Sequence, residues 1–311
     1  MKRIFLLFLI PGVIVFISGC GGAKIVIPSY TAPKEAAKLS QIETKDEFIS
    51  DGAYLALYLS PDVKGTKKTN PKLSEMLIDE VKAKLTETNF IALDPLGGDD
   101  GVSLSMKVTN YEYKHNDKKV SIALEVTFTL SRGVDEFLVK KYKARKNRQS
   151  RDPSKLPSEN ELASAAVQKV VKYFISDISP LKTHQLREFK PFASPLKQVL
   201  TYVERKNYKD AIKMMNNYKG SKDMDYHYNL AILYEAQASE SENLKLLKQA
   251  SIHYEKALKM GGSKDKLVMD AKARFDNFYT LLSKTKKQNK ANQALIQDRN
   301  SMLESSDAEY E

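Results

Sequence analysis

Apolar and polar residues alternate most regularly in the middle of the chain. An apolar residue occupies every second position in residues 102–108 and again in residues 122–130. Alternation with a period of two is typical of strands that bury one face. The polar residues 114–118 between the two runs predict a turn, so the pattern indicates an antiparallel hairpin. Residues 137–145 are predicted to add a third strand.

Two amphipathic helices are predicted on either side of these strands. The first begins at Asn70-Pro71, where Asn caps and Pro fits the first turn, and its apolar residues are four apart: Leu73, Leu77, Val81 and Leu85. The second begins at a capping box formed by Ser158 and Glu161. Its apolar face is formed by Leu162, Ala166, Val170 and Phe174.

Shorter strands are predicted at residues 54–59, ended by Ser60-Pro61, and at residues 90–93. The resulting order β-α-β-β-β-β-α predicts an α+β fold for residues 51–180. Its sheet is rich in antiparallel pairs and carries the helices on one side.

Strand patterns stop in the second part of the chain, where residues 190–283 are predicted to form an all-α domain. Helices are predicted at 196–202, 208–218, 226–238, 246–260 and 267–282, with a longer loop or insertion at 239–245. Residues 284–311 are interpreted as a polar tail that extends the last helix and then frays.

The predicted helix pairs resemble tetratricopeptide repeats. The residues that carry this resemblance are Leu230, Ala231, Tyr234, Ala250, Tyr254 and Ala257 in the second pair and Tyr208, Ala211, Met215 and Tyr218 in the first. Small residues let paired helices approach closely, and the aromatic residues fill the remaining space. The resemblance implies a protein-binding surface, for which Tyr202, Asn229 and Tyr234 are the predicted contacts. The alternative is a plain helical bundle.

The topology of the first domain resembles that of curli-secretion-type lipoproteins and of the amino-terminal domain of TolB. This resemblance rests on the order of elements over residues 50–180. It implies that the protein assembles with copies of itself, as an alternative to binding a foreign partner.

The chain opens with Met1-Lys2-Arg3 and an apolar run, which predicts a signal peptide over residues 1–19. The run ends in Ile17-Ser18-Gly19-Cys20, which resembles the lipobox of bacterial lipoproteins. The resemblance implies cleavage between Gly19 and Cys20 and covalent lipid, including palmitate, on Cys20. Gly21 follows where an Asp implies retention at the inner membrane, so the outer membrane, facing the periplasm, is expected. The alternative is an ordinary signal peptide with a chance Cys.

Residues 20–50 are interpreted as the lipidated Cys and a tether, in which Ile25 to Ile27 could form a short strand. The net charge of +11 would favour nucleic acid as a partner inside a cell, but export argues against it. One run concentrates this charge: Lys140, Lys141, Lys143, Arg145, Lys146, Arg148 and Arg151. It is either the solvated edge of a sheet or a contact with an anionic surface.

Residues that carry chemistry are sparse. The four His residues show no metal-ligand spacing, and the sequence contains no phosphate loop or nucleophile elbow. We therefore expect no enzyme activity, no metal, no small-molecule substrate and no cofactor beyond the lipid. The sequence predicts an outer-membrane lipoprotein that acts as a protein-interaction scaffold, with self-assembly into a secretion channel or envelope complex as the alternative.

Overall fold

The computed structural model describes residues 23–45, 53–66, 69–96 and 101–308. The predicted signal peptide, with Gly19 and Cys20, lies outside the described residues. The strands are β1 Lys24–Thr31, β2 Glu43–Lys45, β3 Ala53–Lys64, β4 Ala92–Leu93, β5 Val102–Asn116, β6 Lys119–Arg132, β7 Asp135–Gln149 and β8 Leu181–Glu188. The helices are α1 Leu73–Thr88, α2 Glu159–Ile178, α3 Val199–Glu204, α4 Tyr208–Asn217, α5 Met224–Ser241, α6 Leu244–Lys259 and α7 Lys266–Ala308.

The chain divides into two compact units. The α/β unit comprises the described part of residues 30–182 together with 281–308, and the helical unit comprises residues 23–29 and 183–280. The expected mixed α/β fold with a helical carboxyl-terminal region is confirmed.

The sheet of the α/β unit has the order β2-β3-β5-β6-β7, and β4 pairs beside β3. The predicted hairpin of β5 and β6 is antiparallel, and β7 continues it antiparallel at the edge. The pairs of β3 with β4 and with β5 are parallel. Antiparallel pairing therefore dominates the three long strands, and parallel pairing joins them to the first part of the unit.

One face of this sheet is buried under α1 and α2. Both helices share a continuous apolar core with the inward residues of β5 and β6. Phe128 on β6 stacks on Phe174 of α2, with ring centroids 4.5 Å apart. The predicted capping box is present, since the Ser158 hydroxyl accepts from the Glu161 N–H and the Glu161 carboxylate accepts from the Ser158 N–H. The apolar residues that recur at every second position on the strands and at every fourth position on the helices are therefore buried together in one core.

The prediction that Ser60-Pro61 ends the first strand is wrong. Strand β3 runs on to Lys64, and its register against β5 shifts between Leu59 and Val63. Proline lacks the N–H that a regular ladder needs, and it is tolerated in a strand where the pairing is irregular. Gly65 follows at a φ of +85° and turns the chain.

The possible strand at Ile25 to Ile27 is confirmed as part of β1, whereas the interpretation of residues 20–50 as a tether does not account for β2 and the 3₁₀ turn Ala36–Gln41. Strand β1 pairs with β8 in a separate two-stranded sheet, which belongs mostly to the helical unit. The sequence showed no sign of β8, because the residue that β8 buries most deeply is Arg187. A pattern method follows apolar residues and therefore misses a strand that buries a charged one.

The predicted loop at residues 239–245 is also wrong. Helix α5 continues to Ser241, and α6 begins at Leu244. Glu242 ends α5 in the left-handed conformation, and the Asn243 side chain caps α6 by accepting the Lys245 N–H. Two residues with suitable side chains and backbone angles are enough for the connection.

The predicted extension of the last helix is confirmed, since α7 continues to Ala308, but residues around Leu295 pack within the α/β unit and do not form a tail. Leu295 packs against Ala56 and Ala92. Asn292 is buried and donates its side-chain amide to the Phe90 carbonyl at 3.2 Å. The sequence suggested a free tail because several residues buried on this helix are polar: Thr285, Gln288 and Asn292.

Candidate interaction surfaces

The predicted basic run lies on β7, the edge strand of the sheet. Its first half is neutralised within the chain. Lys140 forms an ion pair with Glu35, and the ammonium groups of Lys141 and Lys143 lie 3.1 and 2.7 Å from the Glu125 carboxylate. Hydrogen bonds from Lys143, Thr109 and Lys141 lower the pKa of Glu125 to about 2. This half of the run ties strands together, as the solvated-edge interpretation expects.

The second half of the run joins basic residues from the β5–β6 hairpin. In the sheet register Arg148 lies across from Val120, and Arg145 lies across from Ala123. Lys119 opens β6 opposite Gln149, and the Lys118 carbonyl accepts from the Ser150 N–H at 3.0 Å. Together these residues form what we call the basic end: Lys118, Lys119, Arg145, Lys146, Arg148 and Arg151. Sequence analysis missed Lys118 and Lys119, although the predicted hairpin turn would have indicated them.

Asn229, which was predicted to contact a partner, is instead buried within the helical unit. It is 1% exposed. Its side-chain oxygen accepts the Lys190 N–H at 2.8 Å, and its side-chain amide donates to the Lys190 carbonyl at 3.0 Å. Asn229 therefore holds the backbone of its own chain, and the prediction of a surface contact at this residue is corrected.

Residues 187–190 are held by further hydrogen bonds and ion pairs within the helical unit. The Tyr228 hydroxyl donates to the Glu188 carbonyl at 2.9 Å, and Lys190 pairs with Asp265. Arg187 makes a two-point contact with Glu235, at 2.6 and 3.1 Å, with both side chains at most 1% exposed. One face of α5 is therefore covered by residues 187–190 of the same chain, and this face is not open to a partner.

A second face of α5 carries a cluster of aromatic side chains. Tyr234, a predicted contact, is half-buried and stacks on His253 of α6, with ring centroids 5.6 Å apart and planes 12° apart. The exposed Asn216 of α4 donates to the Tyr234 hydroxyl at 3.2 Å. Tyr218 is connected to these residues through Tyr226, on which its ring stacks with centroids 6.1 Å apart and which contacts His227. We call Asn216, Tyr218, Tyr234 and His253 the aromatic cluster. The remaining predicted contact, Tyr202, is half-buried on α3.

His253 also contacts a second histidine beneath the cluster. The Nδ1 atoms of His227 and His253 are 3.0 Å apart, so one ring donates its proton to the other. Burial lowers the pKa of both rings, and the neighbouring His227 further lowers the pKa of His253, to about 4. Both rings are therefore neutral at neutral pH and act here as packed aromatic groups. No spacing in the sequence indicated this pair, which arises from the packing of α5 against α6.

The α/β unit also contains a cleft of about 570 Å³ between α1, β3, β4 and the end of α7. Its polar lining includes Lys82, Asn89, Asp94 and Asn300, and Asp94 lies 3.9 Å from Arg299. Among the described residues that line this cleft, none is Ser, Cys or His. In the described ranges, no three His, Cys, Asp or Glu side chains lie together as metal ligands would.

None of the helices within residues 23–45, 53–66, 69–96 and 101–308 combines the length and the apolar character that crossing a bilayer requires.

No protein-family model matches the sequence, and neither does any curated protein. Solved structures with a similar fold include a minor lipoprotein from Acinetobacter baumannii, at 19% identity over 42% of this chain and 96% of that one, with a TM-score of 0.29. Lipoprotein GNA1162 from Neisseria meningitidis is 13% identical over 38% of this chain and 96% of its own, with a TM-score of 0.25.

The PelC dodecamer from Paraburkholderia phytofirmans is similar at 14% identity, over 50% of this chain and 98% of its own, with a TM-score of 0.28.

Proposed function

We propose that the protein is a lipid-anchored protein of the bacterial envelope that binds another envelope protein through its helical unit and carries out no chemical reaction. The anchor rests on the sequence Ile17-Ser18-Gly19-Cys20. Two or more acyl chains on one residue give stable membrane attachment, since each buried methylene contributes about 0.8 kcal/mol. The outer membrane, facing the periplasm, is the proposed location.

The aromatic cluster is the observation that supports partner binding best. Its rings are held in place by stacking and by the hydrogen bond from Asn216, yet Tyr218, Tyr234 and His253 are only half-buried. Rigid aromatic side chains lose little conformational entropy on binding and are enriched at the centres of interfaces. The face of α5 that holds Asn229 does not contribute, because residues 187–190 already cover it.

The tetratricopeptide-like character of the helical unit remains part of this proposal. Ala211 on α4 and Ala250 on α6 are fully buried, as small residues at helix crossings are. Tyr254 is fully buried one turn after Ala250, as the repeat pattern expects. The departure from the pattern is that the long α5 is enclosed on most sides, so the binding surface proposed here lies where α4, α5 and α6 meet.

The test is photo-crosslinking in cells from positions beside the aromatic cluster. A photo-reactive residue at the exposed Lys213, one turn before Asn216 on α4, or at the exposed Gln249 samples the cluster and leaves the Asn216–Tyr234 hydrogen bond in place. The matched control is Glu255, which is exposed on α6 but turned well away from Gln249. We expect one foreign envelope protein to crosslink at Lys213 and Gln249 and not at Glu255.

Crosslinks of the chain to itself at both positions would contradict partner binding and support self-assembly, the alternative function. Equal crosslinking from Glu255 would show that the cluster is not the binding surface. The anchor is tested separately with Cys20→Ser, which should abolish incorporation of labelled palmitate and release the protein from the membrane fraction. A Cys20→Ser protein that still carried palmitate would refute the proposed anchor.

A further inference from the structure

We propose that the basic end, at the tip of the three-stranded arm formed by β5, β6 and β7, binds the phosphate groups of an anionic lipid bilayer. The location of this contact rests on the proposed membrane anchor, but the surface itself is independent of the aromatic cluster. The basic run in the sequence indicated four of its six residues. The register of the three strands adds Lys118 and Lys119 and separates the cations that form ion pairs from those that form none among the described residues.

Charge is strongly unbalanced at the tip. Residues 112–119 and 145–152 contain seven Lys or Arg side chains and three carboxylates. Two of those carboxylates are engaged locally, since Glu112 pairs with Lys114 at 2.7 Å and Asp152 accepts from the Ser154 N–H and pairs with Lys155. Within the part of the chain that the structure describes, none of the six residues of the basic end forms an ion pair, and each is exposed or half-exposed.

The cations are close enough to act together. Neighbouring strands lie about 4.8 Å apart, which is less than the distance of about 8 Å over which physiological salt screens charge. Side chains on one strand alternate between the two faces, so Arg145 and Lys146 point to opposite faces of the sheet. Lys118 lies in the turn at the very end. The charge therefore surrounds a blunt tip and does not line a groove.

This geometry favours a flat, extended anionic surface over a small ligand or a peptide. A groove would place its cations on one concave side, whereas a tip with cations on both faces meets a plane end-on. Three of the six residues are Arg, which hydrogen-bonds phosphate at two points. Basic residues close to an anionic bilayer each strengthen the contact about fivefold. The nearest source of such a surface for an anchored protein is the membrane that holds the anchor.

The test uses the full lipidated protein in vesicles. Because Cys20 is the only Cys in the chain and carries the lipid, an introduced Cys is the unique site for a fluorescent label. The label is placed at Asp117→Cys, in the turn at the tip. Quenching by lipids with nitroxide-labelled headgroups then measures how close the tip is to the bilayer. Vesicles of pure phosphatidylcholine are compared with vesicles containing phosphatidylglycerol, at low and high salt.

A second label position controls for geometry. Val134 lies in the turn at the opposite end of β6 and is 96% exposed. Since β6 has 14 residues, the two labels are about 45 Å apart. We expect strong quenching at position 117 in anionic vesicles at low salt, weak quenching in neutral vesicles or at high salt, and weak quenching at position 134 throughout.

The variant with Lys118, Lys119, Arg145 and Arg148 changed to Gln should reduce the equilibrium constant for contact by about five- to six-hundredfold, at about fivefold for each residue. The matched control changes four exposed lysines away from the tip: Lys64 and Lys107, which are paired in the register of β3 and β5, and Lys141 and Lys143, which form ion pairs with Glu125. This control should keep the quenching. Circular dichroism should show both variants folded.

Several results would overturn the proposal. Equal quenching in neutral and anionic vesicles would show that the anchor alone positions the tip, and equal loss in the control variant would show that only net charge matters. If no vesicle quenched the label, the tip would not contact the bilayer, and a protein or a glycan would be the ligand to test next. A failed anchor is distinguishable, because the protein would then not float with the vesicles at all.

Discussion

The Arg187–Glu235 pair in the helical unit allows a quantitative prediction. Glu235 accepts from Arg187 through both carboxylate oxygens, at 2.6 and 3.1 Å, and from the Tyr254 hydroxyl at 2.7 Å. Burial opposes the charge of the guanidinium, but the carboxylate more than offsets this and raises the pKa of Arg187. Through this pair α5 holds the end of β8, which the apolar core alone does not explain.

Changing Glu235 to Ala should destabilise the helical unit by about 3–5 kcal/mol, since it leaves a buried guanidinium without a partner. The pair is at most 1% exposed, so solvent screening does not reduce this figure. A typical domain is stable by only about 5–15 kcal/mol. Glu235→Gln, which keeps the shape and the contact with Tyr254, should cost less. Arg187→Met with Glu235→Leu should recover most of the loss, because neither charge is then buried.

Hydrogen exchange measured by mass spectrometry is the suitable assay, because the two units need not unfold together and a single global transition is not assured. In Glu235→Ala, we expect faster exchange of those amides in Leu181–Glu188 and Met224–Ser241 that exchange when the unit opens. Because each 1.36 kcal/mol changes an equilibrium tenfold, a loss of about 3–5 kcal/mol should raise their exchange rates by about a hundredfold to several thousandfold. Amides of Lys119–Arg132, in the other unit, serve as the internal reference.

Two results would refute this reasoning. If Glu235→Ala and Arg187→Met each changed exchange less than about fivefold, the pair would contribute no more than an exposed ion pair. If the effects of Arg187→Met and Glu235→Leu, each measured alone, added up in the variant that carries both, the residues would not be coupled.

Three further predictions concern the α/β unit. Gly65→Ala should lower the free energy of unfolding of this unit, measured in urea, by about 2 kcal/mol or more, because the φ of +85° disfavours a side chain and a Cβ would collide with the Val108 carbonyl. The control Gly133→Ala should cost less, because Gly133 also has a positive φ but has open space around it. Ser158→Ala should cost about 1 kcal/mol through loss of the cap of α2, and Ser158→Asp should retain most of it, whereas an unchanged urea midpoint for Ser158→Ala would contradict the cap. The Glu125 carboxyl should titrate by NMR near pH 2, and in Lys143→Gln its pKa should move toward the ordinary value of 4.5. Because the folded-state pKa is lowered, the ion pairs stabilise the fold above the unfolded-state pKa, and this stabilisation is lost as the pH falls from about 4.5 through 2. An unchanged pKa of Glu125 in Lys143→Gln would contradict the assignment.

Much of the α/β unit could be predicted from its sequence. The hairpin of β5 and β6, the apolar face of α1 and the capping box at Ser158 all follow from local patterns. In each case the pattern has the period of one element, and the buried residues are apolar. Burial of apolar surface is the main favourable term in folding, so such patterns identify elements reliably.

The errors occurred where burial involved polar residues or a special backbone. Strand β8 was missed because its deepest residue is Arg187, and the end of α7 was taken for a tail because Gln288 and Asn292 are buried there. The predicted loop after α5 disappeared because Glu242 adopts a left-handed angle. Arg187 and Asn292 are each stabilised by a partner that lies far away in the sequence, the Glu235 carboxylate and the Phe90 carbonyl, so no local pattern contains both members of either pair.

The sequence by itself determined the order of the elements over residues 51–180, the concentration of basic residues on one strand and the motif that predicts a lipid on Cys20. The tertiary structure alone decided which of these residues are available. It closed one face of α5 with residues 187–190, brought Tyr234 and His253 together, and neutralised Lys141 and Lys143 through Glu125, while Arg145 and Arg148 have no ion pair among the described residues. The reason is physical: residue type and spacing are local, whereas burial and ion pairing depend on neighbours that only folding brings within a few ångströms.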